Sequence, residues 1–163
     1  MKLTLLFCIG NIVSLFCNSQ TLQNKLWQDV LNKNNPDSTY IFNHSKKNYH
    51  DETYLTYLGL AKTKDGRSFK ILKSCWIWGQ SKRATGRIIF FNINNQYIGE
   101  YSVGGLFDLP EKLIDNSLVF TNSPDNSCDS ALSTVISFRL GIPKIIFIKC
   151  KGKFGNLYTF SSN

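Results

Sequence analysis

This 163-residue chain has only two histidines. His44 and His50 stand six apart on an irregular stretch, a spacing that matches no zinc or copper pattern. With Asp51 and Glu52 they read as a surface loop, and no metal or other cofactor is expected. Catalytic signatures are also missing. There is no GxSxG, HExxH, Walker loop or GxGxxG, which removes the enzyme classes that announce themselves in sequence. Acidic residues number 11 and are scattered, so no glycosidase-like carboxylate pair can be named. The chain lacks helix-turn-helix, zinc-finger and RNP signatures, and nucleic acid is not an expected partner. It has no heptad or internal repeat. After residue 19 no apolar run is long enough to cross a bilayer as a helix.

The first nineteen residues are distinctive. Met1-Lys2 precede an uncharged, mostly apolar run from Leu3 to Phe16, followed by Cys17-Asn18-Ser19-Gln20. A basic start, a short apolar middle and small residues before a polar one form a secretory signal peptide. The small residues Cys17 and Ser19 place the cut before Gln20. The minority alternative is a lipoprotein acylated on Cys17, although Leu15-Phe16 before it are bulkier than that route prefers. The expected address is secreted or periplasmic. Lys2 is the only charge in residues 1–19, so its loss takes the net charge from +8 to +7.

The expected organisation is a signal peptide at 1–19, an N-terminal helix and connector at 20–51, and an antiparallel β domain at 52–163. Over residues 21–33, Leu22, Leu26, Trp27, Val30 and Leu31 share one helical face. Asn34-Asn35-Pro36 ends that helix. From Glu52 onward, about eight short strands alternate with turns: 54–63, 67–78, 86–93, 96–103, 117–122, 132–138, 144–150 and 157–160. Asp65-Gly66 predicts a hairpin with a type I′ turn. The fold class is mainly β, an antiparallel meander forming a barrel or sandwich, preceded by one amphipathic α-helix.

Between Lys62 and Arg87 eight basic residues accompany a single acid, Asp65. A cluster of this kind attracts anions, and more commonly it is a solvated face. On the strand 67–78, Phe69, Ile71, Cys75 and Ile77 form a core set interrupted by Lys73. The opposite face carries Lys70, Trp76 and Trp78. With Arg83 and Arg87 nearby, these residues suggest a platform for an anionic or sugar-like ligand. The competing reading is structural, with the helix burying its apolar stripe against the same face.

Cys75, Cys128 and Cys150 follow the signal peptide. Pairing 132–138 with 144–150 as a hairpin brings Cys150 close to Cys128, which predicts a Cys128–Cys150 disulfide in an oxidising compartment. Cys75, among apolar neighbours, is expected to be free, buried and inert. The leading function is a non-catalytic binding or interaction module, whose partner is an anionic or carbohydrate ligand or an acidic protein. A small secreted enzyme of unknown reaction is the alternative, together with an inhibitor or immunity-type protein docking an acidic partner. The sequence does not specify the oligomeric state.

Overall fold

One helix and ten strands make up the computed structural model, which describes residues 23–123 and 127–162. The proposed signal peptide, its cleavage site and Leu22 lie outside the described residues. Helix α1 covers residues 23–33. The strands are β1 (Thr39–Asn43), β2 (His50–Lys62), β3 (Ser68–Gly79), β4 (Arg83–Asn92), β5 (Tyr97–Val103), β6 (Lys112–Ile114), β7 (Ser117–Thr121), β8 (Ser133–Ser137), β9 (Ile145–Lys151) and β10 (Phe154–Ser162). A 3₁₀ turn, Leu106–Asp108, follows β5.

The strands form two antiparallel sheets. The larger has the order β1-β2-β3-β4-β5-β10-β9, and the smaller has the order β6-β7-β8. Neither closes into a barrel. The meander runs unbroken from β1 to β5, and β10 then joins β5 through Phe160–Ser162. All eight expected strands are present. The two additional ones are β1, within the stretch read as a connector, and the three-residue β6.

Alternation along β3 sends its side chains to two separate cores. Phe69, Ile71 and Cys75 face the smaller sheet and join Ile88, Phe90, Tyr101, Leu118, Phe120, Phe138, Ile146 and Ile148. Leu72 faces the other way, with Leu55, Tyr57, Ile89 and Phe91, beneath Trp27, Val30 and Leu31 of α1. Trp27 stacks on Tyr97 at 5.9 Å and meets Phe91 edge-on at 5.7 Å. Each of these large apolar groups contributes about 1.5–3 kcal/mol on burial. The helix therefore does bury its stripe on the tryptophan-bearing face of β3, as the structural reading expected, but it does so around Leu72.

Two local expectations need correction. The β2–β3 turn is not type I′, because only Gly66 has positive φ, at 86°. Gly66 N donates to Thr63 O and Thr63 N to Arg67 O, which makes a three-residue loop with the glycine left-handed after the turn. The second correction concerns β8 and β9, which are not a hairpin ladder. β8 pairs with β7 and β9 with β10. They run close together all the same, with Lys149 N donating to Thr134 Oγ1 at 2.9 Å. That proximity serves the cysteines equally well. Cys128 and Cys150 are disulfide-bonded and Cys75 is free and buried. A bridge across 22 residues contributes about 3 kcal/mol by restricting the unfolded chain.

Candidate functional site

β2 carries a bulge where Leu58 and Gly59 together oppose Ile71. Gly59 has φ 127°, a backbone that side-chain-bearing residues rarely adopt. The extra residue shifts the register by one, which exchanges the faces of everything beyond it. Thr53 therefore lies opposite Trp76, and Asp51 opposite Trp78. On the other side of β3, Thr85 of β4 opposes Trp76, Arg87 opposes Ser74 and Arg83 opposes Trp78. Thr53, Ser74, Thr85 and Arg87 thus share the helix-side face with both tryptophans.

The described residues of α1, 23–33, do not cover this half of the face. Beside their first turn lies a groove of about 340 Å³. Leu55, Thr53, Ser74, Thr85 and Arg87 come from the sheet, Gln23, Leu26 and Trp27 from the helix, and His44, Asp51 and Trp76 complete the lining. Trp76 is 37% exposed. Trp78 stacks against it with ring centroids 5.5 Å apart and planes 26° apart. Both indoles are held by their nitrogens. Trp76 Nε1 donates to Asp51 Oδ1 at 2.9 Å and Trp78 Nε1 to Thr85 Oγ1 at 3.2 Å. The groove therefore has a fixed aromatic wall and several hydroxyls.

The cation of the groove is partly compensated, and its carboxylate is held by a neutral donor. Arg87 Nε lies 3.7 Å from Glu100 Oε1. Asp51 accepts the Trp76 N–H, and Ser45 Oγ accepts the Asp51 backbone N–H. Arg83 sits over the Trp78 ring at 5.8 Å, as a cation on an aromatic face.

Of the five residues expected at the site, Trp76 and Arg87 line the groove. Trp78 backs Trp76, and Arg83 lies over Trp78 outside that lining. Lys70 is remote from all four. It lies six residues back along β3, roughly 20 Å at strand rise. Its ammonium donates to Asn95 Oδ1 at 2.5 Å, and Asn95 in turn donates to Asn32 of α1. Lys70 belongs to the contact between the helix end and the β4–β5 turn. Thr53 and Thr85 carry no signal in the sequence, and Asp51, read there as surface loop, lies in β2. The bulge hides the register of Asp51 and Thr53, whereas Thr85 faces Trp76 through the uninterrupted β3–β4 ladder.

A second cleft, of about 340 Å³, lies between the sheets and includes Tyr54, Lys73, Cys75 and Glu111. Lys73 interrupts the core set, and its ammonium donates to the carbonyls of Pro110 and Glu111 at 3.0 and 3.3 Å. Burial lowers its pKa. Burial also pushes the Cys75 thiol up, the opposite of what an activated nucleophile requires. Among the described residues no three His, Cys, Asp or Glu side chains are gathered as a metal would need. No helix there is long and apolar enough to cross a membrane. A scan against protein-family models, a search of curated proteins and a search of solved structures each return no match.

Proposed function

We propose that this protein is a non-catalytic carbohydrate-binding domain working outside the cytoplasm, with the Trp76 groove as its ligand site. The observation that carries this reading is the half-open indole of Trp76, fixed by Asp51 and backed by Trp78, in a groove floored by hydroxyl-bearing side chains. A sugar ring offers C–H groups on one face and hydroxyls around its edge. The first suits an aromatic face, and the second suits Thr53, Ser74, Thr85 and Gln23 as donors and acceptors. Concave sites with an apolar wall and a few convergent polar groups are the usual form of small-ligand pockets.

The charge pattern favours a neutral ligand over a strongly anionic one. Arg87 is shared with Glu100, and Asp51 adds a negative charge to the lining. A phosphate or sulfate would gain less here than at an unpaired arginine fork. This narrows the anionic-or-sugar expectation to its second member. The disulfide is compatible with an oxidising compartment, and the N-terminal signal supplies the route. N-terminal mass spectrometry of the exported chain is expected to find Gln20, and a diacylglyceryl group on Cys17 would overturn that assignment.

The binding claim is tested with an array of neutral and acidic glycans, followed by calorimetry. Neutral glycans are expected to bind with little dependence on salt and to lose affinity in Trp76→Ala. Binding confined to acidic glycans, or unaffected by Trp76→Ala, would overturn the assignment.

A further inference from the structure

The last twenty residues, 144–163, carry Lys144, Lys149, Lys151 and Lys153 and no aspartate or glutamate. Most of them build the β9–β10 hairpin. Its inward side is ordinary, with Ile146 and Ile148 2% and 5% exposed. Its outward side is unusual. A solvated β face carries polar side chains, yet here Ile145 and Phe147 on β9 face out, and Leu157 of β10 lies opposite Phe147. Phe154, paired with Lys151 at the tip, is 70% exposed and Leu157 is 69% exposed. Lys149 and Lys151 are exposed on the same strand, and Lys153 is exposed in the turn. None of the four lysines makes an ion pair among the described residues.

The mixture identifies the partner. Lysines lie between Phe147 and Phe154, not in a rim around an apolar centre. A protein interface depletes lysine at its core because the ammonium would lose its water. A lipid headgroup layer imposes no such cost. It takes aromatic and aliphatic side chains at the depth where ammonium groups meet phosphates. The disulfide anchors Cys150, next to Lys149 and Lys151, to residue 128, so the tip is presented on a braced element. We propose that the β9–β10 hairpin docks this protein onto an anionic bilayer surface, with Phe147, Phe154 and Leu157 entering the interface and Lys149, Lys151 and Lys153 engaging lipid phosphates. In the strand order, β5 separates this hairpin from β4, the last strand lining the Trp76 groove. The inference does not depend on the carbohydrate reading.

The test is co-sedimentation with vesicles of phosphatidylcholine, with and without phosphatidylglycerol. The chain carries Cys17→Ser, so that no acyl group at that position contributes, and is used as its expression host processes it. Binding is expected on the phosphatidylglycerol vesicles and to weaken with salt. Each of Lys149→Gln, Lys151→Gln and Lys153→Gln should lower the partition coefficient about fivefold. Phe154→Ser with Leu157→Ser should lower it about tenfold or more. These side chains are exposed, so circular dichroism and the Cys128–Cys150 disulfide should be unchanged. The proposal fails if anionic vesicles do not bind the chain, if neutral vesicles bind it equally well, or if the folded hairpin variants partition like the parent.

Discussion

Leu72 and Trp76 lie four residues apart on one face of β3, yet Leu72 is fully buried and Trp76 is 37% exposed. The strand chemistry does not explain the difference, since both are large apolar side chains in the same ladder. The covering layer does. The eleven described residues of α1 reach about 16 Å, whereas the twelve residues of β3 run about 40 Å. The described part of α1 seals only part of such a face. It is placed over Leu72, Ile89 and Phe91 by Trp27, Val30 and Leu31, and the Asn95–Asn32 and Gln28–Asn95 hydrogen bonds tie it to the β4–β5 turn. Around Trp76 the described residues leave a groove instead. One sheet face thus carries both a core beneath Trp27, Val30 and Leu31 and a candidate site beside it.

The comparison breaks most readily at Phe91. Phe91→Ala removes a fully packed ring from the covered half and is expected to cost about 3–5 kcal/mol of stability. Urea denaturation measures this. A cost below about 1 kcal/mol would mean that α1 does not seal its half, and the contrast with Trp76 would dissolve.

pH sharpens the same contrast. Tyr57 is buried in the covered half, and burial raises its pKa above the ordinary 10.0. A phenol whose folded pKa is raised favours the folded state at pH values below 10.0. That contribution is lost as pH climbs toward the raised value, by up to about 1.4 kcal/mol per pH unit for one group. Tyr101 in the other core shifts in the same direction through burial. Stability should therefore fall above pH 10.0, and Tyr57→Phe should make the alkaline slope shallower without changing it at neutral pH. An unchanged slope would place Tyr57 in water.

Trp78, beyond Trp76 at the end of β3, is intermediate between the two halves in burial. It is partly buried, holds Thr85 through its indole nitrogen and supports Trp76 from behind. Trp78→Ala is expected to cost about 1–2 kcal/mol, between a fully sealed aromatic and an exposed one. It should also weaken ligand binding, because Trp76 loses its backing. A cost as large as that of Phe91→Ala would extend the covered half to the end of β3.

Much of this was legible from residue patterns, and most of the failures concern relations between strands. Strand positions, the core set Phe69–Ile71–Cys75 and the tryptophan face all follow from period-two alternation within a strand. Relations between strands depend on register, and single residues decide register. Continuing the pairing of Lys62 with Ser68 along β2 would place Tyr54 beside Trp76 and Glu52 beside Trp78. The bulge at Leu58–Gly59 places Thr53 and Asp51 there instead. Gly59 is one unremarkable glycine in the sequence, and the presence of Thr53 and Asp51 beside the tryptophans turns on it. Lys70 illustrates the complementary limit. Alternation correctly assigned its face, but not how far along that face the helix would extend. Cys128 and Cys150 were paired correctly through an incorrect hairpin, because a disulfide requires only that β8 and β9 run close.

Trp76→Ala is the most informative variant. It should cost about 1–2 kcal/mol, well below Phe91→Ala, since its ring is only partly removed from water and its hydrogen bond to Asp51 is near solvent. Its effect on carbohydrate affinity should be about tenfold or greater, the loss of one aromatic stacking partner. Trp76→Phe, which retains a flat ring but cannot donate to Asp51, should lie between the two. Arg83→Ala serves as the control. It removes an exposed charge over Trp78, and its stability should stay within about 0.5 kcal/mol of the parent. If Trp76→Ala melts as early as Phe91→Ala, the two halves of the face are energetically alike and the groove is merely the thin end of the core. If it melts well above Phe91→Ala and loses its ligand, β3 divides into a part beneath Trp27, Val30 and Leu31 that holds the fold and a part around Trp76 that is free to bind.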